Sequence, residues 1–541
     1  MSGPEDKATL KIYNFRWIPT DFFEMDRNKD MRLSVGEFLQ SNQPPHFVDR
    51  VVSSWINFSG LPKDSQHPDT NNSFNDGRDF LKELEQRDPH RAADLYQSIL
   101  TYSRSLYTPM ARSFLSRQSP TPGLTLLSDT EGRITHLLIV LRKDRQYDML
   151  EPIKRLLQIY PKAKITILSE KKSETEIRSL LRDELPDDGL ARIDFASGRF
   201  AIGTSESEVH DWPQDPIHVI KDRNGENVII EASHQDISLL HPTTRPESLT
   251  NFADVLAEHL HMRRVVAPFD IDGGNVVTTP DEIFVGIDEI NRHVFEEPQL
   301  KKEIEGEFSN PSNIETSRQG NFIMAEFDAE GEHHKITFPL RTREAFMETL
   351  KRYFGDKKIV FIDNGKGNQA IAHIDTFFHP LPLTHAKDGK PFVLVGNPQL
   401  AERIIQAIPP ERLERYRNEI NAKGGHYFKS LLFRHDQYET ELQSELDQHA
   451  QQLELLGYHV IRVPYHPNMT LSYTNSLFEH QHEGGENIYH VTMPSYGIDE
   501  MDHWVKELFT SLGFEVNTID LRERAGQFGA LRCSVKVLNR T

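Results

Sequence analysis

The stretch Thr135-His-Leu-Leu-Ile-Val-Leu-Arg142, followed by a helical pattern over 147–160 and by Ala163-Lys-Ile-Thr-Ile-Leu168, decides the fold class. Its outer segments are short apolar runs of strand length, whereas the middle one spaces its apolar residues for one helix face. A second helix is expected over 174–185. The alternation returns as a helix over 252–261, strands over 358–362 and 392–395, a helix over 441–456 and a strand over 458–463. It ends with a helix over 501–512 and a strand over 514–519. Strands alternating with helices imply an α/β architecture. No fixed short period recurs, which argues against a solenoid.

Upstream the character changes. Residues to about 120 are polar, with helical spacing in Gly77-Arg-Asp-Phe-Leu-Lys-Glu-Leu-Glu and in Arg91-Ala-Ala-Asp-Leu-Tyr-Gln-Ser-Ile-Leu. Ser119-Pro-Thr-Pro-Gly123 marks a boundary, so the expected domains are 1–120 and 121–541. With 541 residues the chain can bury a substantial core. Its 62 Lys and Arg face 82 Asp and Glu, a net charge of −20, which disfavours nucleic acid and anionic membrane surfaces and favours cationic partners. No apolar run approaches bilayer length and the N-terminus lacks the apolar core of a secretion signal. A single cysteine excludes an intrachain disulfide. A cytoplasmic protein is expected on these grounds.

Three short segments place ionisable groups beside turn residues. In Asp211-Trp-Pro-Gln-Asp-Pro216 the two prolines put Asp215 on a constrained loop. In Gly365-Lys-Gly-Asn-Gln-Ala-Ile-Ala-His-Ile-Asp-Thr-Phe-Phe378, an extended His373-Ile-Asp375 would point both polar side chains to one face. In Gly526-Gln-Phe-Gly-Ala-Leu-Arg-Cys-Ser-Val-Lys-Val537, a glycine-bearing loop leads into the only cysteine, Cys533. A cysteine attacks as thiolate and needs a nearby cation, which His373 or a bound guanidinium could supply. Structural readings stand beside each: a turn-forming Asp215, a hydrogen-bonded His373–Asp375 pair, and a Cys533 that is a small buried apolar residue.

In this order the segments resemble the guanidino-group-modifying (pentein) superfamily: peptidylarginine deiminases, arginine and agmatine deiminases, dimethylargininases and amidinotransferases. Trp212-Pro-Gln-Asp215 is similar to their Trp-x-Gln-Asp, His373-Ile-Asp375 to their His-x-Asp, and Gly529-Ala-Leu-Arg-Cys533-Ser to their cysteine loop. Phe269-Asp-Ile-Asp-Gly-Gly-Asn-Val-Val-Thr278 resembles their Gly-Gly strand. Leu471-Ser-Tyr-Thr-Asn475 and Val491-Thr-Met-Pro-Ser-Tyr-Gly497 resemble segments of agmatine deiminases. The resemblance implies a five-bladed α/β propeller. It also implies a catalytic set of Asp215, His373, Asp375 and Cys533, and substrate contacts from Trp212, Gly273, Gly274 and Asn275. Asp215 and Asp375 would grip the guanidinium, Cys533 would attack its carbon, and His373 would carry protons. Three departures leave the substrate open: Arg532 stands where many relatives have His, Asp272 where agmatine deiminases show Glu, and Pro213 and Pro216 flank the acidic loop.

Residues 26–37 carry Asp26, Asn28, Asp30, Ser34 and Glu37 at the oxygen-ligand positions of an EF-hand loop, with Arg32 offering its carbonyl. Ca2+ is therefore the expected ion, although Met31 replaces the usual glycine. No organic cofactor is expected: Gly365-Lys-Gly-Asn-Gln-Ala lacks a following helix and is not a dinucleotide fingerprint. His333-His334 and His480 with His482 are expected as solvated loop residues without a zinc frame. The preferred function is deimination of protein arginine. Deimination of free arginine or agmatine, amidino transfer, and a calcium-regulated module that binds an arginine-containing ligand without turnover remain alternatives.

Overall fold

The computed structural model describes Thr9–Leu10, Leu33–Ser34 and most of the chain from 123 onward. Within that part, 143–145, 199–211, 232–251, 268, 270, 295, 298–299, 302–303, 306–309, 320–321, 330, 340–341, 423–436, 467–470 and 525–528 lie outside the described residues. The chain divides into two compact units, Met1–Ser119 with Thr337–Pro339, and Pro120–Ile336 with Leu340–Thr541. In the first unit Thr9–Leu10 pairs antiparallel with Leu33–Ser34, so Ser34 stands opposite Thr9. The other residues of the expected calcium loop, Asp26, Asn28, Asp30, Arg32 and Glu37, lie outside the described residues.

The second unit is α/β. Among the described residues, five mixed sheets repeat one order: an antiparallel strand pair, a helical crossover, then a third strand parallel to the second. One sheet runs Ile217–Lys221, Asn227–Glu231 and Arg263–Val266, with helix Phe252–His259 in the crossover. The next runs Val276–Thr278, Glu282–Gly286 and Lys358–Ile362, its crossover including helix Arg343–Phe354. Then come Phe378–Thr384, Pro391–Asn397 and His459–His466, crossed by Pro398–Gln406 and Gln437–Leu455. Leu477–Glu483, Glu486–Ser495 and Phe514–Asp520 follow, crossed by Asp499–Ser511.

The fifth sheet joins the two ends of the unit. Its antiparallel pair is the last strand, Val535–Arg540, against Ile134–Val140, and the parallel third strand is Lys164–Glu170 after helix Leu150–Ile159. Val535 stands opposite Ile139. This pairing fixes the segment just before Val535 to the start of the fold.

The crossover helices form for legible reasons. Leu150–Ile159 buries Leu150, Ile153, Leu156 and Leu157, spaced for a single face. Asp499–Ser511 buries Met501, Val505 and Phe509 and carries Asp499, Glu500 and Asp502 in its first turn, where they oppose the helix dipole. Pro398–Gln406 starts with Pro at its first position, and Asn397 caps it by accepting from the Leu400 amide at 2.9 Å. The expected boundaries shift modestly: the helix at 441 begins at Gln437, and the strand at 458 runs on to His466. His333 and His334 lie in strand Glu332–Pro339, and His480 and His482 in Leu477–Glu483, not in loops as expected. Among the described residues no helix is long and apolar enough to cross a membrane.

Candidate functional site

Each of the five sheets presents a polar residue just ahead of its first strand. Asp215 precedes Ile217, Asn275 precedes Val276, Asp375 precedes Phe378, Asn475 precedes Leu477, and Cys533 precedes Val535. The turn one to three residues ahead of each first strand thus supplies carboxylate, amide or thiol, and the turns interlock. Asn475 Nδ2 donates to the Asp375 carbonyl at 3.2 Å, and its Oδ1 accepts from the Cys533 amide at 3.1 Å. The Ile374 amide donates to Asn275 Oδ1 at 3.3 Å, and the Gly273 amide to the Asp215 carbonyl at 3.2 Å.

Cys533 sits in a single helical turn, Leu531–Ser534, leading into the closing strand. Leu531 and Val535 anchor that turn in the main core, and the Ser534 hydroxyl donates to the Ala530 carbonyl at 2.8 Å. Cys533 is 4% exposed. It receives Asn475 Nδ2 at 3.2 Å and lies 3.7 Å from Asp375 Oδ2. Burial, reinforced by the Asp375 and Asp215 carboxylates, pushes its thiol well above the ordinary range. With nothing bound, this is a neutral thiol.

Asp375 is fully buried, held in the 3-10 turn Ile374–Thr376. The expected extended His373-Ile-Asp375 does not occur: His373 is extended, and the chain then turns. Ile374, Phe377 and Phe378, each 0% exposed, pin that turn in the core. At about 1.5–3 kcal/mol for each large apolar side chain, packing here outweighs the strand preference of an alternating segment. Burial pushes the Asp375 carboxyl up, against the pull of Arg532 and His373. Arg532 is also buried; its Nη1 donates to Asp375 Oδ2 at 2.8 Å, and its Nε and Nη2 reach Asp129 at 3.1–3.2 Å. Its Nη2 also donates to the Val276 carbonyl at 2.9 Å.

His373 stands between two other carboxylates. Nδ1 lies 3.7 Å from Asp215 Oδ1, and Nε2 lies 3.3 Å from Asp272 Oδ2. Burial opposes its charge, but Asp215, Asp272 and Asp375 outweigh that and push the imidazole up to about 10. It is therefore a cation at neutral pH, although 27% of the side chain reaches solvent. Among the described residues, the side chains that reach the Cys533 sulfur are Asn475 and Asp375, whereas His373 faces Asp215 and Asp272.

The glycines are dictated by close approach. A Cβ on Gly274 would come within 2.6 Å of His373 Nδ1 and 3.1 Å of Asp215 Oδ1, and one on Gly273 would collide with the Gln214 carbonyl. Gly529 has the Trp212 ring where its Cβ would be. The other side of Trp212 takes Arg524, whose guanidinium carbon lies 4.3 Å from the ring centre. Asn275, 1% exposed, spends its amide on Glu289 at 2.7 Å and its oxygen on Gln369 at 2.9 Å, so it acts as a clamp on the His373 turn.

The structure thus brings Asp215, His373, Asp375 and Cys533 into one cluster, with Gly273 and Gly274 against it, Trp212 at its edge and Asn275 behind it. Sequence reasoning missed the bridging role of Asn475, the carboxylate of Asp272 on His373, and Arg532 with Asp129. Asn475 had a signal, since it ends the Leu471-Ser-Tyr-Thr-Asn475 segment that was singled out. Asp129 had none, lying 403 residues from Arg532.

No family model and no curated protein matches this chain. Solved structures do. The agmatine deiminase of Enterococcus faecalis matches over 77% of this chain and 96% of its own, at 11% identity and a TM-score of 0.46. A provisionally assigned peptidyl-arginine deiminase matches over 77% and 99%, at 13% identity and 0.43. The inosamine-phosphate amidinotransferase of Streptomyces griseus matches over 77% and 97%, at 13% identity and 0.32.

Proposed function

We propose that this chain is a cysteine-dependent hydrolase that deiminates the guanidinium group of arginine. One observation carries the reading: the Cys533 thiol and the Asp375 carboxyl, 3.7 Å apart, are both buried and both pushed toward their neutral forms. A cation arriving between them relieves both. A planar guanidinium suits the place, because carboxylates at Asp215 and Asp375 accept from several of its edges. Five sheets of one strand order, each presenting a polar residue in the turn ahead of its first strand, support reading the second unit as a five-bladed propeller around this site.

On arrival of the substrate cation the thiol gives up its proton to water, and the thiolate attacks the guanidinium carbon. The C–N bond to the departing nitrogen breaks as the His373 imidazolium delivers a proton, and ammonia leaves. The neutral imidazole then takes a proton from water, whose oxygen bonds to the carbon as the C–S bond breaks. The added oxygen passes its remaining proton to the sulfur, so a neutral ureido product forms and the thiol is restored. Holding the cation between carboxylates also aligns its carbon with the sulfur.

A buried sulfur suits a guanidinium on a narrow arm, and we favour an arginine side chain of a protein, ahead of free arginine or agmatine. Ca2+ at the EF-hand-like loop belongs to the same proposal. The test is ureido production by wild type and Cys533→Ala on arginine, agmatine and an arginine-rich protein, each with calcium and with chelator. Product from wild type alone supports the reading, and the preferred substrate ranks the three. Silence on all three overturns deimination and turns attention to amidino transfer.

A further inference from the structure

Away from the Cys533 cluster, the sheet of Phe378–Thr384, Pro391–Asn397 and His459–His466 gathers two imidazoles and a carboxylate. His385 follows the first strand, Asp388 stands in the hairpin turn, and His459 opens the third strand. Strand Phe378–Thr384 separates this group from Asp375, a span of about 20 Å at ~3.3 Å per residue.

His385 Nδ1 lies 2.8 Å from Asp388 Oδ1, and His459 Nε2 lies 3.1 and 3.0 Å from the two Asp388 oxygens. The ring centres of His385 and His459 are 4.3 Å apart, and one ligand atom from each of the three residues lies within 4.8 Å of the others. Among the described residues this is the one such group. We propose that His385, Asp388 and His459 form a divalent transition-metal site of the zinc class, with a fourth, open position toward solvent.

Three features support a site over a chance surface triad. First, the ligand set is right: two imidazole nitrogens and a carboxylate are the donors of three-ligand zinc sites that keep one position for water. Second, the spacing is close. Bonds of ~2.0–2.1 Å at tetrahedral angles set donors about 3.3 Å apart, so the His–Asp distances need widen by only a few tenths of an ångström, and the two imidazole donors, within 4.8 Å of each other, need only rotate closer.

Third, the donors sit on rigid supports. The hairpin turn is closed by the His385 amide on the Lys390 carbonyl and the Gly389 amide on the His385 carbonyl, both at 2.8 Å. Gly389 adopts a left-handed φ of 71° there, and the Lys390 amide reaches Asp388 Oδ1 at 3.3 Å. His459 is in register with Phe392, whose ring packs against both imidazoles at 5.4 and 5.8 Å. Each side chain is between a third and two-fifths exposed, so an ion can reach the group from water. A bound metal would tie the hairpin tip to the start of the parallel strand.

The test uses Co2+ as a visible probe, added to full-length Cys533→Ala protein with calcium present, so that neither the thiol nor the EF-hand-like loop takes the ion. Expected is about one Co2+ per chain with the d–d bands of a four- or five-coordinate nitrogen and oxygen site, displaced by Zn2+. His459→Ala, His385→Ala and Asp388→Asn should each lower affinity by about tenfold or more. Their circular dichroism should match the parent, since all three residues lie at the surface. Absence of binding, octahedral spectra only, or equal binding by the parent and the three variants overturns the proposal.

Discussion

Arg532 Nη1 donates to Asp375 Oδ2 at 2.8 Å, so the guanidinium beside the cysteine in sequence is locked onto the carboxylate nearest its sulfur in space. The same guanidinium holds Asp129 with its remaining edge. Arg532 therefore occupies Asp375 Oδ2, which leaves Oδ1 for the guanidinium of the proposed substrate. This gives a physical role to an arginine that the resembled motif does not contain.

Removing this cation leaves two carboxylates without it, one of them fully buried. Arg532→Leu is expected to destabilise the fold by about 3–5 kcal/mol, read from urea unfolding midpoints. Arg532→Lys keeps the charge but not the fork, and should lose less. Equal midpoints for Arg532→Leu and wild type would rule out the counter-ion role.

Cys533→Ala should reduce turnover by about 10³-fold or more while leaving substrate affinity within a few-fold, compared by product formation and calorimetric titration. Substantial turnover without the sulfur would remove Cys533 from the chemistry.

Asn475 donates to the sulfur at 3.2 Å. Asn475→Asp puts another carboxylate there, and like charge resists thiolate formation. The rising limb of the pH–rate profile should move to higher pH, whereas Asn475→Ala should lower rate at every pH. A profile unmoved by the Asp substitution would show that the amide does not govern the thiol.

His373 is pushed up to about 10, above the ~6.5 of an unfolded imidazole. A raised folded value means that its ion pairs contribute stability fully below pH ~6.5 and lose it as pH rises through about 10. The stability gap between wild type and His373→Gln should therefore shrink from pH 7 to pH 10. A gap constant over that window would argue against a charged imidazole between Asp215 and Asp272.

Gly274→Ala places a methyl 2.6 Å from His373 Nδ1. The ring or the turn must shift, which costs about 1–3 kcal/mol. Activity should fall more than tenfold while far-UV circular dichroism stays unchanged. Full activity would mean that the imidazole need not stand where it does.

The sequence by itself determined the α/β alternation, because apolar period and strand-length runs are local properties that survive without neighbours. It also singled out Cys533, His373 and Asp375, since one cysteine and a polar pair between apolar residues leave few choices. What it misjudged was local shape: His373-Ile-Asp375 alternates like a strand, yet burial of Ile374, Phe377 and Phe378 turns it. Only the tertiary structure decided who faces whom. The bonds of Arg532 to Asp129, of Asn475 to Cys533 and of Asp388 to His459 span 403, 58 and 71 residues. The same holds for charge. A histidine pushed to about 10 and a thiol pushed well above its usual range are set by burial and by carboxylates that folding brings together, and no spacing along the chain encodes those distances.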